Sequence, residues 1–217
     1  MMKKTLKKFF ATLLTTITIC SSSKVTIISN TLVNQNNSYI NTHINNETNL
    51  LLIEPYTDDK KLQLNSIKNS VEKHYNNIQL LQGSRRNYFK EISSYTNNND
   101  IVVIFTHGDT GQFNLFKNGT PACVRSEEIK NLAVKKDSIY IIAACKVSEN
   151  DTNLAKNLIK NGAQAVYTYS NNVTQESAEN QIEIILKNLK LNKTPEQSYK
   201  EAIKGFKNRN GLTLTTK

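Results

Sequence analysis

The chain has 217 residues, a formal net charge of +10 and 38% hydrophobic residues. This length and composition are typical of one globular domain with a substantial core, and they exclude a largely disordered or fibrous chain. Three cysteines are too few for a disulfide-stapled scaffold, and no set of histidines, cysteines and acidic residues has the spacing of a zinc site. We therefore expect no metal and no other cofactor.

The N-terminus has the pattern of a secretory signal peptide over residues 1–23. Four lysines, the last of them Lys8, precede an uncharged apolar run from Phe9 to Cys20, and three serines follow. The run is shorter than the roughly 20 residues of a membrane-spanning helix, so we expect a secreted or extracytoplasmic protein without a stable membrane span. The alternative is a lipid anchor at Cys20, although Ile19 is bulky for the position before a lipidated cysteine.

The charge of the rest of the chain is modest and dispersed. Loss of the four N-terminal lysines would lower the formal charge from +10 to about +6. The remaining lysines are scattered, without the interleaved aromatic residues of a nucleic-acid surface, so we exclude nucleic acid as a partner. Residues 24–48 are rich in Asn, Ser and Thr and are interpreted as a polar linker or pro-segment. The folded domain is assigned to 49–210 and a tail to 211–217.

Strand and helix patterns alternate from residue 49 onward. In chain order they predict a strand at 50–53, a helix at 60–75, a strand at 78–81, a helix at 88–95, a strand at 101–105, a hairpin over 112–124, a short helix from 126, a strand at 138–143, a helix at 153–160, a strand at 165–169 and helices at 174–190 and from 195. Asn118-Gly119 is a hairpin turn signal, and Thr194 is an N-cap. The alternation predicts a layered α/β fold with a mostly parallel central sheet flanked by helices.

Two of the predicted strands end in residues that can carry chemistry. The strand at 101–105 is followed two residues later by His107, and the strand at 138–143 is followed two residues later by Cys145. Sites in parallel sheets form outside the carboxyl ends of the strands, so both side chains are expected to face one cleft if the strands are neighbours. A thiolate is a nucleophile and an imidazole exchanges protons near neutral pH, which together give the chemistry of a cysteine hydrolase. Gly108 would admit substrate close to the backbone, and its N–H with that of Cys145 would hold an oxyanion.

These motifs resemble the caspase-like cysteine peptidases of clan CD, a group that includes caspases, legumain, clostripain, gingipains and separase. Its members carry a His-Gly after one apolar strand and an Ala-Cys after a later one, as His107-Gly108 and Ala144-Cys145 do here. The resemblance implies a three-layer caspase-like fold, a nucleophile at Cys145 and a catalytic histidine at His107.

The resemblance is closest to the CHAT branch of that group. The branch follows its His-Gly with a hairpin, a short acidic helix, the Ala-Cys strand, a helix and an Ala/Gly-rich strand start. This chain has the hairpin at 112–124, the acidic pair Glu127-Glu128 and the stretch 162–166 in the same order. The resemblance covers roughly residues 50–207.

The residues that would select a substrate have more than one interpretation. Asp58 and Asp59 follow the first strand at the same sheet edge, where either would bind a basic side chain or belong to a helix N-terminus. Some relatives carry an acid or glutamine two residues before the cysteine, where it shapes the S1 pocket, and this chain has Ala143 there. Asp109 would either orient His107 or cap its own loop.

The sequence therefore predicts an exported cysteine endopeptidase that acts on peptide or protein substrates. The alternative is a catalytically inactive caspase-like module that binds or regulates another protein. Cys123, in the hairpin, is interpreted as a small apolar residue of the core. A bond between Cys123 and Cys145 would block the thiol that is assigned to catalysis.

Overall fold

A computed structural model describes residues 48–56, 64–83, 87–204 and 210–217. The expected signal peptide, with Cys20, and nearly all of the expected linker lie outside the described residues, as do Asp58 and Asp59. In the described ranges, no helix has both the length and the apolar character needed to cross a bilayer.

Nine strands and six helices are described along these ranges. The strands are β1 Asn49–Glu54, β2 Asn77–Gln82, β3 Ile101–Phe105, β4 Gly108–Asp109, β5 Gln112–Lys117, β6 Thr120–Arg125, β7 Ile139–Ala143, β8 Ala165–Tyr169 and β9 Leu212–Thr216. The helices are α1 Asn65–Val71, α2 Tyr88–Thr96, α3 Ser126–Ile129, α4 Asn153–Asn161, α5 Gln175–Lys190 and α6 Pro195–Lys204. Six of the strands form one sheet in the order β2-β1-β3-β7-β8-β9, in which only β9 is antiparallel to its neighbour.

The two faces of this sheet are covered by different helices. Alternate side chains such as Leu52 and Val103 pack with α1, α5 and α6 on one face. Their neighbours Ile53 and Ile104 pack with α2, α3 and α4 on the other. Strands β3, β7 and β8 are buried at every position, which explains their continuous apolar sequences. The predicted three-layer α/β architecture with a mostly parallel sheet is confirmed.

A second, antiparallel sheet of β4, β5 and β6 forms the predicted hairpin. Asn118 and Gly119 have φ of 53° and 83°, as the preferred two-residue hairpin turn requires. Phe113 and Val124 pair across the hairpin and are both buried. Because side chains alternate along a strand, the adjacent Cys123 lies on the other side and is exposed. The interpretation of Cys123 as a core residue is therefore wrong.

The first helix is shorter than its apolar spacing predicts. It spans Asn65–Val71, residues 60–63 lie outside the described residues, and the chain turns at 72–74. Tyr75 is nevertheless buried, and its hydroxyl donates to the carbonyl oxygen of Leu186 at 2.8 Å. The helical spacing of apolar residues therefore includes Tyr75 although the helix ends at Val71, because Tyr75 packs on α5.

The C-terminal segment 211–217, predicted as a tail, contains β9. Leu212 is buried opposite Tyr169, and the Thr213 and Thr168 hydroxyls lie 2.7 Å apart. The alternation Leu-Thr-Leu-Thr from Leu212 is typical of a strand, and it could have predicted this edge strand from the sequence.

If β9 is an integral part of the sheet, Leu212→Ala should lower the free energy of unfolding by about 2–4 kcal/mol, since it removes a buried leucine side chain. Thr216→Ala, at the exposed end of the same strand, should change it by less than about 0.5 kcal/mol. Urea titrations of both variants measure the difference. Equal stabilities of the two variants would show that β9 does not pack as described.

Candidate active site

The two predicted catalytic residues follow adjacent, paired strands. Phe105 of β3 is the register partner of Ala143 of β7, and His107 and Cys145 each lie two residues further on. The ladder continues past the strand ends, because the Thr106 N–H donates to the Ala143 carbonyl oxygen at 3.1 Å. Neighbouring strands are about 4.8 Å apart, so the two segments leave the sheet side by side at its carboxyl edge.

Gly108 is in close contact with the segment that carries Cys145. A Cβ placed on Gly108 would lie 2.7 Å from the Ala144 Cβ and 2.7 Å from the Cys145 carbonyl oxygen. The first atom is bonded directly to the main chain and the second belongs to it, so neither can move aside by a side-chain rotation. Only glycine permits this approach, so the backbones of the histidine loop and the cysteine loop meet at Gly108.

The antiparallel ladder puts Gly108 at a position that makes no hydrogen bond to the partner strand. The Asn114 N–H donates to the His107 carbonyl oxygen at 2.9 Å, which makes 107 and 114 a hydrogen-bonded pair. Such pairs alternate with non-hydrogen-bonded ones, and Gly108 opposite Phe113 is the next pair along. The ladder geometry is therefore compatible with a Gly108 N–H that serves a ligand.

The exposed imidazole of His107 is in contact with an aromatic residue that the sequence analysis missed. The Tyr56 ring lies 4.9 Å from the His107 ring, centroid to centroid, with a 74° angle between their planes. Tyr56 also packs on Phe116 of β5, at 4.8 Å. It follows Glu54 by two residues, and the β1–β3 register puts Glu54 level with Phe105, so Tyr56 emerges at the same edge as His107.

Burial affects two titratable groups at the end of β1. It raises the pKa of the Tyr56 hydroxyl above the ordinary value of 10.0, and electrostatic interaction with the Cys123 sulfur raises it further. Tyr56 therefore remains neutral beside His107 at physiological pH. Burial also raises the pKa of Glu54, while hydrogen bonds from Gln82 and the Leu64 backbone oppose that increase.

The half-buried thiol of Cys145 lies against the loop between β8 and α5. The Val173 N–H donates to Cys145 Sγ at 3.4 Å, and Cys145 Sγ lies 3.6 Å from the Val173 carbonyl oxygen. The next residue, Lys146, has a positive φ of 60°, and its N–H donates to the Asn171 carbonyl oxygen at 3.1 Å. No local pattern marks Val173 in the sequence, because its contact depends on how the loop returns to the sheet.

The other predicted residues are arranged differently. Ala143 is 2% exposed and packs in the core with α5, so its side chain does not line the cleft. Asp109 is exposed and accepts a hydrogen bond from the Thr110 N–H at 2.8 Å, which caps its own loop. Cys123 and Cys145 are both free thiols. Among the described residues, no three His, Cys, Asp or Glu side chains converge as a metal site would require.

Comparisons with known proteins identify the fold. No protein-family profile and no curated protein matches the sequence. The structure is similar to that of the Saccharomyces cerevisiae separase–securin complex at 2.6 Å, with 15% identity, a TM-score of 0.52 and coverage of 79% of this chain and 12% of that chain. The same complex at 3.0 Å matches with 14% identity, a TM-score of 0.51 and the same coverage. The predicted caspase-like fold is thus confirmed, while the match spans only 12% of the separase chain.

The contact at Gly108 gives a prediction about structure that is independent of any activity. Gly108→Ala should destabilise the fold by about 1–3 kcal/mol, because the added methyl group overpacks against the Ala144 Cβ and the Cys145 carbonyl oxygen. It should also change the rate at which iodoacetamide alkylates Cys145, since the cysteine loop must shift. Thermal unfolding and mass spectrometry of the alkylated peptide measure the two effects.

Gly119→Ala is the matched control. Its Cβ would meet nothing within 4 Å, but its φ of 83° makes alanine unfavourable. It should cost about 1 kcal/mol of stability and leave Cys145 alkylation unchanged. Equal alkylation of Cys145 in the wild type and Gly108→Ala would contradict the close contact between the two loops.

Proposed function

We propose that this protein is a cysteine endopeptidase of the caspase-like kind, with Cys145 as nucleophile and His107 as proton carrier. The observation that carries the proposal is the pairing of Phe105 with Ala143, from which His107 and Cys145 are each displaced by two residues. The Gly108 contact adds support, because it joins the two loops without a side chain between them. The order of the hairpin, acidic helix and Ala-Cys strand favours the CHAT branch within this group.

The acylation step follows from the residues at the sheet edge. Cys145 transfers its thiol proton to His107, and the sulfur attacks the carbonyl carbon of the peptide bond. The electron pair of the carbonyl moves onto oxygen, where the N–H groups of Gly108 and Cys145 stabilise it. When the carbonyl re-forms, the C–N bond breaks and the leaving amine takes the proton from His107. A thioester at Cys145 remains.

Deacylation reverses the proton transfers with water in place of the amine. Water gives a proton to His107 and attacks the thioester carbon, and the C–S bond then breaks. The peptide acid leaves, and the Cys145 sulfur recovers a proton from His107. The cycle consumes one water for each peptide bond and balances without an oxidant or a reductant.

We also propose that the enzyme is exported. Support comes from the basic and apolar pattern of residues 1–23, with lipidation at Cys20 as the alternative route to an extracytoplasmic location. The proposed substrates are peptides or proteins. Asp58 and Asp59 stay candidates for binding a basic substrate side chain.

Replacing the nucleophile tests the proposal. Cys145→Ala and His107→Ala should each lower kcat/KM for peptide hydrolysis by about 10⁴-fold or more, because each removes a group needed for acylation. Cys123→Ala is the control and should retain activity within about twofold, since Cys123 is exposed and outside the proposed chemistry. A peptide library, read by mass spectrometry, provides the substrates.

The outcomes separate the two hypotheses. Undiminished hydrolysis by Cys145→Ala would contradict the assignment of the nucleophile. If the wild type cleaves no peptide but binds one as tightly as Cys145→Ala does, the inactive binding module is favoured instead.

The Tyr56 ring should contribute to the placement of His107. Tyr56→Leu should lower kcat about tenfold with little change in KM, because an edge-to-face contact of about 1 kcal/mol no longer holds the imidazole. Tyr56→Phe keeps the ring and should retain kcat within about twofold. Equal losses in the two variants would assign the effect to the hydroxyl and contradict a role of the ring.

A further inference from the structure

One residue presents both of its main-chain polar groups to the Cys145 sulfur. The Val173 N–H donates to Sγ at 3.4 Å, and Sγ lies 3.6 Å from the carbonyl oxygen of the same residue. A thiol matches both groups, because sulfur accepts from the N–H and its own S–H donates to the carbonyl. The two contacts hold the sulfur beside the β8–α5 loop.

Ionisation changes these two contacts in opposite directions. A thiolate has no proton for the Val173 carbonyl, so that contact loses its hydrogen bond and becomes repulsive. The N–H contact becomes a hydrogen bond to an anion, which is about twice as strong as one between neutral groups. Once Cys145 has lost its proton, the Val173 N–H at 3.4 Å is in position to stabilise the charge on sulfur.

The loop is fixed in place by other main-chain contacts. The Asn171 carbonyl oxygen accepts from the Lys146 N–H at 3.1 Å, and the Ser170 N–H donates to the Gly211 carbonyl oxygen at 2.8 Å. Thr174, the residue after Val173, is the N-cap of the 16-residue helix α5. The donor is therefore held before the reaction begins, which is the condition under which such groups contribute most to catalysis.

We propose that the Val173 N–H is a catalytic hydrogen-bond donor that stabilises the Cys145 thiolate. This inference rests on the proposed function and adds a third main-chain donor to it. The Gly108 and Cys145 N–H groups serve the substrate oxygen, whereas the Val173 N–H serves the attacking sulfur. The β8–α5 loop thus belongs to the reaction centre as well as to the fold.

Charged side chains near Cys145 contribute to the same ionisation and have to be kept constant in a test. They are Lys146 and Glu149, which form an ion pair at 3.5 Å, and the titratable group on the neighbouring loop is His107. A change confined to the Val173 amide leaves these three side chains in place. It therefore isolates the N–H from the electrostatics of the side chains.

The test replaces the Val173 amide by an ester. The chain carries Cys20→Ser and Cys123→Ser so that Cys145 is the single thiol, and Val173 is replaced by its α-hydroxy analogue, which keeps the isopropyl side chain and lacks the N–H. At pH 7, iodoacetamide should alkylate Cys145 about tenfold more slowly than in the amide parent, as expected for the loss of one hydrogen bond to a charged group. At pH 10, above the ordinary thiol pKa of about 8.5, the two rates should approach each other.

Two further variants keep the result interpretable if the ester folds poorly. Val173→Pro removes the same N–H and should slow alkylation at pH 7 in the same way. Val173→Thr keeps the N–H and a β-branched side chain, and should react like the parent. Thermal unfolding of every variant identifies any that are not folded.

The outcomes distinguish this inference from the proposed function. Unchanged alkylation at pH 7 in both the ester and Val173→Pro would overturn the role of Val173, whatever the peptidase activity. Equally slowed alkylation at pH 7 and pH 10 would also overturn it, because that pattern indicates lost access to the sulfur. A slower rate confined to pH 7, in a protein that cleaves no peptide, would support the Val173 contact and count against the peptidase.

Discussion

The parallel register of β1, β3 and β7 is the constraint on which the rest of the site depends. Side chains along a strand alternate between the two faces, so a shift of one residue in either pairing would exchange the faces of every residue in that strand. Side chains such as Ile104 and Ile142, which pack against the helices on one face of the sheet, would then meet the helices on the other face. Because both faces of these strands are buried, the core fixes the register, and the register fixes where His107 and Cys145 leave the sheet.

Close contacts at the edge of the sheet also fix the positions of the loops that follow the strands. Gly108 contacts the cysteine segment directly, so the histidine loop cannot move away without losing that contact. The Tyr56 ring contacts both His107 and Phe116, which connects the end of β1 to the hairpin. The β8–α5 loop contacts Cys145 through Val173. Tyr56, Gly108 and Val173, from three separate segments of the chain, thus lie against His107 or the Cys145 segment.

The sequence predicted what depends on local pattern and missed what depends on the path of the chain. Strands Ile101–Phe105 and Ala165–Tyr169 were predicted with their observed bounds, because continuous apolar runs reflect burial on both faces. His107 and Cys145 were chosen as candidates because each follows such a run. Tyr56 contacts His107 because β1 lies next to β3 in the sheet, and Val173 contacts Cys145 because the β8–α5 loop folds back over the sheet edge. Their contacts with His107 and Cys145 therefore have no counterpart in the local sequence.

The end of β1 differs from an ordinary strand end because it buries a carboxyl group, that of Glu54. Its pKa is raised above 4.5 by burial, so the folded protein binds more protons than the unfolded chain between that value and the higher one. Stability therefore falls as the pH rises through this window. Gln82 offsets part of this cost through a hydrogen bond of 2.6 Å. This carboxyl is two residues before Tyr56, at the sheet edge where His107 and Cys145 also leave their strands.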